Sequence, residues 1–182
     1  MSRPVSWSPS SGRLDRTTMQ NGLRLLLERL LRHDIDFVLV GGLASVVHGS
    51  PLVTNDIDIC VRIHETQIAK LREALKDLRP RHRMNPNFKP SFLDFPEKLE
   101  GTNNIYLETD MGVLDILSDL SPVGSFERIK ASAVTVSLFG YPCKVIALED
   151  LIRIKETMSR PKDKETLLHL QEIRRKLKSE KK

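Results

Sequence analysis

The sequence predicts a single-domain α/β (α+β) fold, a mixed or antiparallel sheet flanked by helices. Three observations predict it. The chain has 182 residues, 40% apolar and 29% charged, enough for one packed core and short for two. Short β-branched runs bounded by glycine or proline alternate with longer amphipathic stretches, which is the pattern of strands and helices sharing one core. No run approaches the length of a membrane span, since the most apolar stretch, Phe37 to Val47, is interrupted by Gly41 and Gly42.

Residues 1–16 are rich in Ser and Pro and lack the apolar segment of a secretory signal, so a disordered leader is expected before a domain over 17–177. Residues 17 to 33 form an amphipathic helix, with Leu23, Leu26, Leu27, Leu30 and Leu31 at three- and four-residue spacing. Asp36 to Val40 is a short buried strand. Gly41 and Gly42 turn the backbone into a helix of two turns at most over Leu43 to His48, stopped by Gly49 and Pro51. A second strand runs from Asp56 to Arg62, and a helix over 65 to 79 presents Ile68, Leu71, Leu75 and Leu78 before Pro80 stops it.

Residues 79 to 101 are the least regular interior segment. They hold Arg79, Arg81, His82 and Arg83, then prolines and the aromatics Phe88, Phe92 and Phe95. Such a loop either meets a nucleotide or RNA through its basic and aromatic side chains, or is a surface loop tucked down by its phenylalanines. Asn104–Thr109 and Val113–Leu117 flank a turn and read as a hairpin, and Val134–Leu138 with Cys143–Ala147 as another. Helices follow over 148 to 158 and from Lys162 to Leu177, with a frayed basic tail over 178–182.

Charge is uneven. Residues 151 to 182 carry eleven Lys/Arg against five Asp/Glu, while the whole chain has a net charge of +5. That basic end either attracts a polyanion such as RNA or a nucleoside triphosphate, or is a solvated helix face. Cys60 and Cys143 are too few for a disulfide framework and read as buried thiols of a cytoplasmic protein.

The candidate chemistry lies in carboxylates set among aliphatics. Asp56 and Asp58 are two apart on a strand, so they project to one face about 7 Å apart while Ile57 and Ile59 face the core. Like charges so placed raise each other's pKa and call for a cation, and hard divalent ions suit oxygen-only ligands. Asp115 interrupts an equally apolar strand. If the two strands are neighbours, three carboxylates meet, the set that divalent ions use in phosphoryl or nucleotidyl transfer. Gly41, Gly42 and the hydroxyl of Ser45 offer donors for phosphate oxygens. Lys155 falls within the apolar face of its helix, either snorkelling or aimed at a site. Asp163, just after Pro161, suits a helix start, and His48 a packed or cap-bonded role.

Gly41-Gly42, thirteen residues, Asp56-Ile-Asp58 and the later Asp115 resemble the nucleotidyltransferase superfamily, whose fold is shared with DNA polymerase beta. The phrases Val-Gly-Gly-Leu-Ala-Ser-Val-Val-His-Gly, Thr-Asn-Asp-Ile-Asp-Ile, Leu-Glu-Asp-Leu-Ile-Arg-Ile-Lys155 and Arg160-Pro-Lys-Asp163 are similar to small AbiEii-type and other minimal nucleotidyltransferases, over roughly residues 20 to 175. The resemblance implies that Asp56 and Asp58 hold two Mg²⁺ ions (Mn²⁺ being the alternative) with Asp115 joining on the catalytic one. It implies that Gly41, Gly42 and Ser45 hold the β/γ-phosphates of an NTP and that Lys155 neutralises phosphate charge, with Arg160 and Asp163 anchoring the C-terminal helices beside the nucleotide. Relatives commonly carry arginine where this chain has Leu52, which moves part of the triphosphate grip toward Lys155 or Arg160. The implied activity is transfer of NMP to a hydroxyl of RNA (tRNA ends included), protein or a small molecule. The alternative is a non-catalytic nucleotide- or RNA-binding protein, such as a member of a toxin–antitoxin pair.

Overall fold

Phe37 to Val40 are all buried, which only the centre of a sheet covered on both faces can provide for four successive residues. In the computed structural model, which describes residues 16–180, this run is β1 (Phe37–Val40), near the middle of the main sheet. It is preceded by α1 (Arg16–Arg32), whose Leu23, Leu26, Leu27 and Leu30 are buried, and followed directly by α2 (Gly41–Val47). The short helix thus starts at the first glycine, two residues before its expected start at Leu43. The leader expected over 1–16 lies outside the described residues, except that Arg16 already belongs to α1.

The remaining elements are β2 (Asp56–Val61), α3 (Glu65–Leu75), β3 (Arg81–His82), β4 (Asn104–Thr109), β5 (Gly112–Leu117), β6 (Asp119–Leu120), β7 (Gly124–Ser125), α4 (Phe126–Ser132), β8 (Val134–Leu138), β9 (Tyr141–Val145), α5 (Leu148–Glu156) and α6 (Pro161–Ser179). Helix α3 ends four residues earlier than expected: Leu78 N–H already bonds to the Leu75 carbonyl, and Arg79 takes a φ of +48° ahead of Pro80. The strands β6 and β7 and helix α4 lie between the two expected hairpins, where no element is expected from the sequence. Helix α6 continues into the expected tail as far as Ser179, and Lys181 and Lys182 lie outside the described residues.

Seven strands form one sheet in the order β3-β4-β5-β2-β1-β9-β8, with β6 and β7 as a separate ribbon. Neighbours are antiparallel except β2 with β5 and β1 with β9. The sheet is thus mixed and mostly antiparallel, and the domain is single, as predicted. Helix α1 packs across β5 and β9, with α3 beside it, while α5 and α6 pack on each other.

The register positions the site. Asp58 lies opposite Asp115 on β5 and opposite Val40 on β1, and Asp115 lies opposite Tyr106 on β4. Beyond it, Arg83 N–H donates to the Tyr106 carbonyl at 3.0 Å. One row across the sheet therefore reads Arg83, Tyr106, Asp115, Asp58, Val40. Because side chains alternate along β2, Ile57 and Ile59 are buried beneath this row while Asp56 and Asp58 stand on its open side.

Candidate active site

Asp56, Asp58 and Asp115 line one cavity of about 400 Å³, roofed from the C-terminal side by α5 and the start of α6. The strand adjacency that the sequence left conditional is present. The wall opposite is the Gly41–Gly42 turn. Gly41 has a φ of +64°, and a side chain there would overlap the Asp58 carboxylate; a Cβ on Gly42 would stand 2.6 Å from Thr54 Oγ1. Two glycines are needed here because the backbone passes directly against Asp58 and Thr54.

Each carboxylate has a different environment. Asp56 Oδ1 accepts a hydrogen bond from Thr54 Oγ1 at 2.5 Å. At Asp58, burial, then the charges of Asp56 and Asp115, push the carboxyl up to about 7, against the opposing pull of the Gly42 backbone N–H and Lys155. Asp115 is also raised, chiefly by burial, although Arg83 draws it down. Arg83 Nη2 donates to both Asp115 oxygens, at 2.6 and 2.7 Å.

The cations of the cavity are arranged differently from expectation. Lys155 is buried and donates to Asp163 Oδ1 at 2.6 Å. Arg160, exposed at the rim, donates to Asp163 Oδ2 at 2.9 Å, and Lys162 also lines the opening. Asp163 is therefore more than a helix-start residue: it sits in the first turn of α6, is 5% exposed, and ties α6 to α5 through Lys155. Burial pushes its carboxyl up, but the bonds and charges of Lys155 and Arg160 outweigh that and leave it below the ordinary aspartate value.

One part of the expected phosphate grip takes another role in this structure. Ser45 is buried, its Oγ donates back to the Gly41 carbonyl at 3.1 Å, and it does not line the cavity. The physical reason is helical spacing: Ser45 stands four residues after Gly41 in α2, where a serine hydroxyl reaches the carbonyl one turn back. Gly41 and Gly42 do line the cavity. Leu52 faces a separate apolar cavity with Leu27, Val46 and Phe139. His48 is cap-like, its Nε2 standing 2.7 Å from the Ile146 carbonyl.

In the segment 79–101 one of the three phenylalanines tucks the loop down. Phe92 is fully buried and pins the loop, with Arg72 Nε donating to its carbonyl at 2.9 Å, whereas Phe88 and Phe95 are exposed. Of its arginines, Arg79 pairs with Asp110, and Arg83 alone reaches the carboxylates. Arg83, Thr54 and Lys162 are the site residues that sequence reasoning missed. In the sequence Arg83 is one member of a basic cluster, and the pairing of the two-residue β3 with β4 cannot be read across the loop between them.

The resemblance carried by the sequence implies a divalent cation, and the donor set fits one through Asp56 and Asp58. Both are oxygen donors, they are neighbours on one strand, and neither has a Lys or Arg ion pair among the described residues, where the cavity's pairs are Arg83–Asp115, Lys155–Asp163 and Arg160–Asp163. No group of three His, Cys, Asp or Glu side chains is placed to hold a metal ion among the described residues, and Asp115 is turned onto Arg83. No described helix is long and apolar enough to cross a membrane.

No protein-family model matches the chain, and no functionally curated protein matches it by sequence. Solved structures do. A lincosamide antibiotic adenylyltransferase, LnuA with lincomycin bound, superimposes with a TM-score of 0.55 at 16% identity, over 85% of this chain and 97% of its own. The antibiotic-resistance factor ANT(2'')-Ia gives a TM-score of 0.54 at 13% identity, over 91% and 94%. A candidate nucleotidyltransferase from Thermotoga maritima gives 0.51 at 18%, over 84% and 91%. None of the three bears on the narrower likeness to AbiEii-type proteins. The sheet order, the carboxylate row against a glycine turn, and these superpositions agree: the chain has the nucleotidyltransferase fold.

Proposed function

We propose that this protein transfers a nucleoside monophosphate from an NTP to an acceptor hydroxyl, in a Mg²⁺-dependent reaction. The observation that carries the reading is the placement of Asp56, Asp58 and Asp115 in one cavity against the Gly41–Gly42 turn. The acceptor oxygen bonds to the α-phosphorus, the bond from that phosphorus to the bridging oxygen breaks, and pyrophosphate leaves. Asp56 and Asp58 would hold the cation, which when bound supplies neutralisation of phosphate charge and acidification of the acceptor hydroxyl. Arg160 and Lys162 at the rim meet the triphosphate, and Lys155, steadied by Asp163, sets the potential behind it. Asp115, close to Asp58, accepts the proton of the incoming hydroxyl once free of Arg83.

The acceptor class is RNA, protein or a small hydroxylated molecule. The antibiotic adenylyltransferases among the structural relatives make the small molecule the first to try, though at 13–16% identity they support the fold and not the substrate. The test is incubation with Mg²⁺ and α-labelled NTPs against RNA, protein extract, lincosamides and aminoglycosides. Label should move to one acceptor with pyrophosphate release, and Asp58→Asn should reduce transfer on the order of a thousand-fold. Nucleotide bound by a folded protein that labels nothing would count against catalysis.

One observation favours a second reading. Asp115 and Lys155 are already satisfied by Arg83 and Asp163, as in a nucleotide- or RNA-binding module that has given up catalysis, including one acting within a toxin–antitoxin pair. In that case binding survives Asp58→Asn and falls steeply with salt.

A further inference from the structure

Arg83 is placed with more care than a surface cation needs. Its backbone N–H continues the β3–β4 pairing onto Tyr106, its guanidinium lies 5.6 Å over the Tyr106 ring, and a single nitrogen, Nη2, is shared between the two oxygens of Asp115. Its Nε is buried and has no hydrogen-bond partner among the described residues. The loop that follows is pinned by Phe92, whose N–H donates to the Pro80 carbonyl at 2.9 Å. Arg83 is thus delivered to the one carboxylate of the row that Asp56 and Asp58 leave to be shared.

The geometry points to Arg83 as a resident counter-cation that takes up Asp115 in the resting protein, so that a divalent cation is held there by Asp56 and Asp58 alone and gains Asp115 only when the guanidinium withdraws. This rests on the cation-binding reading of the site proposed above. The physical ground is competition for the same lone pairs: both Asp115 oxygens accept from Arg83 at under 2.8 Å, and an oxygen so engaged is a poor ligand for a hard cation. The unsatisfied Nε marks a side chain whose position is set by Asp115 and not by a full set of partners of its own. Arg83 is a positioning residue in this scheme, acting through Asp115.

The test uses Mn²⁺ alone, titrated into the full chain and followed by the electron paramagnetic resonance of the free ion. Three proteins are compared: wild type, Arg83→Gln, and Arg83→Gln/Asp115→Asn. The double variant removes a neutral ion pair as a unit, so it should keep the wild-type affinity within about threefold, whereas Arg83→Gln should bind at least about tenfold tighter. Spin-echo modulation in D₂O counts the waters on bound Mn²⁺ and should find at least one fewer in Arg83→Gln than in wild type, a change that altered charge by itself would not produce. A tenfold loss of affinity in the double variant would overturn the proposal, since Asp115 would then already be a ligand. So would an unchanged water count in a folded Arg83→Gln. If that single variant fails to fold, the double variant, which strands no charge, decides the matter. Nucleotidyl transfer by the wild type is measured separately. A transfer-competent wild type whose double variant loses Mn²⁺ sinks the role of Arg83 alone, and the expected Mn²⁺ pattern in a protein that transfers nothing sinks only the catalytic reading. Absence of Mn²⁺ binding in all three proteins would overturn both.

Discussion

Gly41 and Asp58 occupy adjacent space so tightly that the glycine's missing Cβ is the room in which the carboxylate sits: an added Cβ would stand 2.8 Å from Asp58 Cβ and closer still to the carboxylate itself. Gly41 also has a φ of +64°, which side-chain-bearing residues adopt at a cost. Gly41→Ala should therefore destabilise the fold by at least about 2 kcal/mol and displace Asp58. Urea unfolding gives the first effect, and loss of Mn²⁺ binding at low denaturant the second. A variant as stable as wild type with unchanged Mn²⁺ affinity would show that the close approach is not needed.

Asp58 makes the ligand-free protein's stability depend on pH in an unusual sense. Its carboxyl is raised to about 7 in the fold, so the group favours the folded state below the ordinary aspartate pKa, and that contribution is lost as pH rises through about 7. Asp58→Asn keeps the shape without the charge. Without metal it should melt at or near the wild-type temperature around pH 4 and higher than wild type at pH 8, by an amount worth up to about 4 kcal/mol. Equal melting temperatures at pH 8 would mean that the carboxylate is not under electrostatic stress.

Lys155 and Asp163 form a buried ion pair, their side chains 9% and 7% exposed, which should be costly to break and cheap to replace. Asp163→Ala strands the ammonium and should cost about 3 to 5 kcal/mol, while Lys155→Met/Asp163→Leu should recover most of it. If Lys155 also serves the triphosphate, the double variant regains stability in urea without regaining NTP affinity. Recovery of both would assign the pair to structure alone. Because the carboxyl of Asp163 is held low, its contribution is present above the ordinary aspartate pKa and lost as pH falls through the lowered value, opposite in sense to Asp58.

Burial pushes the Cys60 thiol up to about 12 and the Cys143 thiol up to about 11. Neither should react with iodoacetamide in the folded protein at pH 8, and both should react once it is unfolded. Mass spectrometry before and after denaturation checks this. Rapid labelling of native Cys60 would imply that the β2 end of the sheet opens.

Local sequence determined a good deal. The alternation Asp56-Ile57-Asp58-Ile59 by itself put two carboxylates on one face, because the side-chain period of a strand is two and the isoleucines have to be inside. The leucines of α1, the glycine pair before the short helix and the Asn104–Leu117 hairpin were legible for the same reason, each being a pattern closed within a few residues. What joined Asp115 to Asp58 was the parallel pairing of β5 with β2, a contact between segments 57 residues apart in the chain that no local periodicity encodes. Tertiary structure alone also assigned the cations. It placed Arg83 on Asp115, turned Lys155 and Arg160 onto Asp163, and folded the Ser45 hydroxyl away from the cavity. An ion pair depends on where two side-chain ends meet: Arg83 and Asp115 lie 32 residues apart, and even Lys155 and Asp163, 8 residues apart, meet only because α5 and α6 pack on each other, so the charges could be counted from the sequence but not paired.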